Sequence, residues 1–405
     1  MLVRSTSRGF LVRRIVAAAS LTLPIALVAQ TPASRLPERA VRRDIPITNS
    51  IRRAFAAGTR DSTGRPGRNY WQIRTDYTIS ARLDAPTSRL TGRETVVLHN
   101  NSPDSLDRIF LRLDPNIFIG NTPQLAPWVP SEVTDGMVIT RMTVNGVSVN
   151  VPPPPNAAGP EGARAAQAAA TAQGAQVPNQ PTITQATYRT TSAQVRLPTK
   201  LLPHSTTTLE IDWNHKIPGG PGAGHRMTQR WADTLYQPTQ WYPRVAVYDD
   251  LRGWDTELYL GPSEFYNNFG RFDVKLDVPA GWIVSGTGVL QNPEEVLTPN
   301  ARERMKRVLT TDSVTTIVGP DEVGPGVATQ RGAPIAGEDG DRLVWRFVAD
   351  TVNDFAWATA KKYVWDMTRA TIPGKGPIPI TMVYLPGRAN LYQRAGQVAR
   401  HALEF

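Results

Sequence analysis

The chain has 405 residues, enough for one large domain or two ordinary ones. Hydrophobic residues make up 40% and charged residues 20%, which excludes global disorder, while 35 prolines and 31 glycines favour short strands and turns over long helices. The net charge of +10 is scattered without a basic run, which excludes a nucleic-acid footprint, and the absence of cysteine excludes disulfides, thiolate metal sites and a cysteine nucleophile.

Residues 1–29 read as an export signal. Arg4, Arg8, Arg13 and Arg14 form a positive segment, Ile15 to Val28 an apolar one, and Ala29 is a small residue after which cleavage can follow. Removing these residues leaves a charge of +6. The apolar run is short for a membrane span, so membrane contact is expected only through an uncleaved signal. The mature protein is therefore expected to be exported, periplasmic or extracellular. Residues 30–68 are rich in Pro, Arg, Ser and Thr without sustained periodicity and read as a flexible linker.

From residue 69 to residue 385 the pattern is that of an antiparallel β domain. Tyr70 to Ile79 is rich in aromatic and β-branched residues. Leu90 to Leu98 follows, with Gly92 expected as a bulge or turn, and Asn100-Asn101-Ser102-Pro103 marks a turn. Ile109 to Leu113 is another strand. Asn145-Gly146 lies between alternating apolar residues, a strong hairpin signal because both positions tolerate positive φ. Residues 151–186, Pro- and Ala-rich, read as an insertion.

Strands resume at Gln194 to Leu197. In Thr206 to Trp213 one face carries Leu209, Ile211 and Trp213 and the other Glu210 and Asp212, so one face is buried and the other wet. Phe272 to Val278 and Trp282 to Leu290 read the same way. Thr298 caps a short basic helix that has Pro299 at its first position and reaches about Leu309. Residues 310–340 contain a second insertion, and Leu343 to Val348 and Pro379 to Tyr384 are late strands. Leu391, Ala395, Val398, Ala402 and Phe405 then recur at helical spacing with no capping residue after them, which reads as a chain cut within an amphipathic helix.

No pair among His99, His204, His215, His225 and His401 has helical zinc-ligand spacing. His215 and His225 flank a glycine-rich loop and read as turn and strand-end residues. There is no Gly-x-Ser-x-Gly elbow. Asp249-Asp250, with Asp255, Glu257 and Glu264 nearby, offers a carboxylate pair for sugar hydrolysis, but Gly253 makes a solvated turn the simpler reading. The most informative stretch is 236–273, where aromatics, Gln240 and Arg244 crowd together without a clean period. It suits either the wall of a ligand cleft or an aromatic core.

Several ordered pieces within residues 70–405 resemble the N-terminal domain of the aminopeptidase N family of gluzincin zinc metallopeptidases. They are Leu90-Thr91-Gly92 with Asn100-Asn101-Ser102, then Thr239-Gln240, Phe272-Asp273-Val274 through Pro279, Gly286-Thr287-Gly288, and Asp354-Phe355-Ala356-Trp357 followed by Lys361 to Asp366. The resemblance implies a mostly β, saddle-like antiparallel β-sandwich with loop insertions. On it, residues 386–405 begin an α-helical thermolysin-like domain absent from this chain. That domain would supply the His-Glu-x-x-His zinc ligands, so zinc is the implied cofactor, but not one held by these residues. The resemblance implies peptide substrates, hydrolysis of N-terminal peptide bonds, and a cleft wall built by Gln240 with Trp241, Tyr242 and Arg244. Tyr242-Pro243 stands where the family pattern has an acidic residue or alanine, a departure that bears on recognition of the substrate's amine. This chain alone is expected to be inactive. The rival reading is a non-catalytic exported β-sandwich module that binds peptide or carbohydrate through the 236–269 aromatics.

Overall fold

A computed structural model describes residues 46–405 except 121, 126–131, 153–180, 184–189, 220–227, 232–234, 262–264 and 335–340. The proposed signal, the first part of the expected linker and most of the 151–186 insertion therefore lie outside the described residues.

Among the described residues the first element is helix α1 (Asn49–Ala57). Strands β1 (Arg74–Asp84) and β2 (Arg89–Asn100) form a hairpin in which buried and solvent-facing residues alternate, as a half-buried sheet requires. β3 (Leu106–Arg112) runs into a 3-10 helix (Asp114–Phe118), and β4 (Val138–Val144) turns into β5 (Val147–Ser148). β6 (Thr182–Ile183), β7 (Ser192–Leu201) and β8 (Ser205–Lys216) follow. Five short strands come next: β9 (Gln229–Trp231), β10 (Leu235–Gln237), β11 (Arg244–Val245), β12 (Tyr248–Asp249) and β13 (Gly253–Trp254). β14 (Gly270–Pro279), β15 (Ile283–Gly286) and β16 (Val289–Leu290) lead to helices α2 (Pro293–Val296) and α3 (Pro299–Val308). β17 (Thr315–Val318), β18 (Ala333–Pro334), β19 (Asp341–Val352), β20 (Trp357–Ala360), β21 (Val364–Ile372) and β22 (Gly376–Tyr384) precede α4 (Ala389–Tyr392) and α5 (Ala395–Glu404).

The fold is mostly β. The largest sheet runs β16-β19-β14-β1-β2-β8-β4-β5, with β18 added on β19. Among the described pairs of this sheet, only β1 with β14 is parallel, so the expected all-antiparallel domain carries one parallel seam at its middle. That seam joins Tyr77 to Phe272, whose rings stack 4.8 Å apart. Two four-stranded sheets, β15-β20-β10-β9 and β11-β3-β7-β6, share a single buried cluster with the large sheet. Ile79, Leu83, Leu90, Leu209, Ile211, Trp213, Val274 and Trp345 are almost entirely enclosed in it.

Three local outcomes explain themselves chemically. Gly92 is not a bulge: β2 pairs in unbroken register with β1 and β8, and a Cβ at Gly92 would lie 2.2 Å from the Trp213 ring. Glycine is needed there because the indole lies across the strand. Asn145 and Gly146 take φ of 49° and 79°, the tight hairpin turn that joins β4 to β5. Thr298 accepts the Ala301 N–H at the start of α3, with Pro299 in the first turn.

Residues 49–68, expected within a linker, instead form α1 and a turn tied to the β domain. The Arg60 guanidinium makes a two-pronged ion pair with Asp250, at 2.8 and 2.9 Å, and the Thr59 hydroxyl donates to the same carboxylate at 2.7 Å. This strap belongs to the same compact unit, Asn49–Phe405, as the strands. At the other end, α5 packs on β21 and β22 through Gly396, where a Cβ would come within 3.0 Å of the Met382 side chain.

Candidate functional site

Between β10 and β11 the backbone from Pro238 to Pro243 has no regular pairing, so its side chains must fix it. Trp241 does most of this. Its ring is fully buried, packs edge-on against Trp213, Tyr242 and Trp357 at 5.1–5.9 Å, and donates its indole N–H to the Phe355 carbonyl at 2.8 Å. Its own carbonyl lies 3.1 Å from Nε2 of buried His215. Desolvation pushes the His215 pKa down to about 4, so at neutral pH the ring is uncharged and can donate this hydrogen bond to Trp241. Tyr242 is also buried and donates its hydroxyl to Asp354 at 2.9 Å. Burial first, and then the Asp354 charge, raises the phenol pKa well above its ordinary range.

Arg244 completes the arrangement. Its guanidinium ion-pairs with Asp114 of the 3-10 helix and with Asp354 at 3.2 Å, and donates to Asn267 at 2.9 Å. Phe265 stacks on it with its ring centre 5.3 Å away. Only 4% of the Arg244 side chain and 1% of the Asp114 side chain are exposed, so these charges depend for their solvation on one another, on Asp354 and on Arg112, which lies 3.6 Å from Asp114. Gln240 is 6% exposed, and its Oε1 accepts the Thr239 hydroxyl at 2.7 Å. The structure thus brings Gln240, Trp241, Tyr242 and Arg244 together, but all four are buried rather than on open surface.

The accessible aromatic surface lies next to this core. Tyr70 and Trp71 at the end of the strap meet Tyr248, Tyr266 and Phe269 around a pocket of about 50 Å³, with Asp249 on its wall. Trp71 stacks on Tyr248 at 5.5 Å. Tyr266 and Phe269 are 55% and 46% exposed. Sequence reading places 248–269 in the informative stretch but assigns Tyr70 and Trp71 to a strand start, because nothing local signals that two segments nearly 180 residues apart share a pocket. A wider, shallower groove of about 880 Å³ lies at the α2–α3 corner, with Glu294, Glu295, Gln330 and Arg331 on its sides.

The carboxylate pair resolves into the turn expected from Gly253. Asp249 accepts the backbone N–H groups of Leu251 and Arg252, and Asp250 is held by Arg60. Among the described residues no three His, Asp or Glu side chains gather as metal ligands, so they do not fit a catalytic zinc. His99 pairs with Asp76, His215 is enclosed, and His225 lies outside the described residues.

No family model matches the chain, and no curated protein matches it. Among solved structures it is similar to a two-domain M1 zinc metallopeptidase mutant bound to L-tryptophan, at 14% identity and a TM-score of 0.40, over 80% of this chain and 50% of that one. It is also similar to a mutant M1 zinc metallopeptidase from Deinococcus radiodurans bound to a Tyr-Ser-Ala substrate, at 13% identity and a TM-score of 0.39, over 80% of this chain and 50% of that one. A third likeness is to the M1 zinc metallopeptidase of the same organism, at 14% identity and a TM-score of 0.37, over 78% of this chain and 48% of that one. The chain spans about half the length of the solved structures it matches.

Proposed function

We propose that this chain is the β-rich N-terminal part of an exported zinc-dependent aminopeptidase, which supports one wall of the substrate cleft and holds no zinc itself. One observation carries this reading. The Thr239-Gln240 segment, where the resemblance puts a substrate-facing glutamine, is irregular backbone held rigid by Trp241 and Arg244 below it. Rigid irregular segments on a sheet scaffold are where binding residues are usually carried. In this reading Gln240 is the contact residue, and Trp241, Tyr242 and Arg244 fix its position. The zinc ligands would come from a helical part of the protein, seated against exposed Leu391, Val398 and Phe405 of the α4–α5 region.

The test measures bound zinc and hydrolysis of aminoacyl reporter amides by this chain, and the mass of the native protein detected in its source cells. The expected result is no stoichiometric zinc and no turnover here, with a native species much heavier than residues 30–405 that carries both. Zinc-dependent turnover by this chain alone, or a native protein matching residues 30–405 in mass, overturns the proposal.

A further inference from the structure

We propose that the pocket between the N-terminal strap and the 247–249 and 266–269 segments binds the head group of an organic cation, an ammonium or methylated ammonium. Its walls are the rings of Tyr70, Trp71, Tyr248, Tyr266 and Phe269, and its polar edge carries the Asp249 carboxylate. Ring faces are electron-rich and attract cations that have lost part of their water. This shell already holds one: the Arg60 guanidinium lies 4.6 Å from the centre of the Tyr70 ring.

The charges around the pocket favour a cation. Asp249 accepts the Tyr266 hydroxyl at 3.2 Å, and Asp104 accepts the Tyr248 hydroxyl at 2.7 Å. The Tyr266 phenol is pushed up to about 12, by burial first and then by the Asp249 charge, which registers a negative local field. Arg60 opposes that field only in part, because Asp250 takes its charge in a two-pronged pair.

Size narrows the ligand class. A space of about 50 Å³ exceeds what one water needs, yet it holds a small head group rather than a saccharide ring or a folded peptide. With Tyr266 and Phe269 exposed at its rim, the remainder of the ligand can extend into solvent. The inference does not depend on the peptidase reading, since neither zinc nor Gln240 takes part.

Choline is the probe, followed by saturation-transfer NMR on its methyl protons and by titration at constant ionic strength against potassium chloride. Saturable binding is expected, weakened at least about tenfold in Tyr266→Ala and also reduced in Asp249→Asn. Tyr266 is largely exposed, so its variant should fold, which circular dichroism checks. The proposal is overturned if choline does not saturate, if potassium competes equally, if Tyr266→Ala binds as well as the parent, or if methyl glucoside binds in place of choline.

Discussion

Two buried side chains set the pH range over which the fold holds. Glu94 points into the core from β2 with no exposure, and neither carboxyl oxygen has a hydrogen-bond partner among the described residues. Burial raises its pKa well above the usual carboxylate range. The folded state therefore keeps a proton that the unfolded chain releases near pH 4 to 5, so stability falls as pH rises from there through the folded pKa. His215 acts in the other direction. With its pKa lowered to about 4, its contribution is intact above about pH 6.5 and is lost as pH falls toward 4, a change on the order of 3 kcal/mol. Urea midpoints between pH 4 and pH 9 should therefore fall on both sides of an intermediate maximum. Glu94→Gln should flatten the alkaline side and His215→Gln the acid side, each leaving the other limb in place. Limbs that do not respond to these variants would assign the pH dependence to other groups. The alternation of β2 puts Glu94 on the same face as Leu90, Val96 and Leu98, opposite exposed Arg93, so its burial follows from the strand's period and not from its own polarity.

The hairpin joining β4 and β5 tests how far a turn dipeptide alone determines an element. Asn145 tolerates its positive φ, and its Oδ1 also accepts the Thr208 N–H at 2.9 Å and the Thr207 hydroxyl at 3.2 Å, tying the turn to β8. Asn145→Ala removes both bonds and adds the cost of a left-handed alanine, so a loss of about 1–2 kcal/mol in urea unfolding is expected. Asn145→Gly removes the same bonds without the backbone strain and should cost less. Equal losses would assign the whole effect to the hydrogen bonds. Elements with such local signals were legible in the sequence: this hairpin, the capped helix α3, and the alternating strand β8. The strap was not. Its helix is short, and what orders the segment is Asp250, about 190 residues away, which no local pattern announces. Gly92 reads as a bulge or turn for the same reason, since the Trp213 ring that requires it comes from another strand.

Across the whole molecule, Arg244 joins parts of the chain that would otherwise be independent. Asp114 follows β3, Asn267 precedes β14 and Asp354 precedes β20, and all three meet one guanidinium. The sequence shows aromatics and an arginine crowded at 236–273 and leaves cleft wall and core as alternatives. Choosing between them needs partners more than 100 residues away in either direction. If Arg244 supports the core, Arg244→Met leaves the enclosed Asp114 with only Arg112, 3.6 Å away, to offset its charge, and unfolding should lose up to about 3–5 kcal/mol. Adding Asp114→Asn removes the stranded charge, so the double variant should recover part of that loss, giving a coupling of at least about 1 kcal/mol. If Arg244 instead reserved its charge for a ligand, Arg244→Met would leave the urea midpoint nearly unchanged and the two substitutions would simply add. The enclosure of both side chains predicts the first result, and with it the role assigned to this arginine: holding the 239–244 segment in place beneath Gln240.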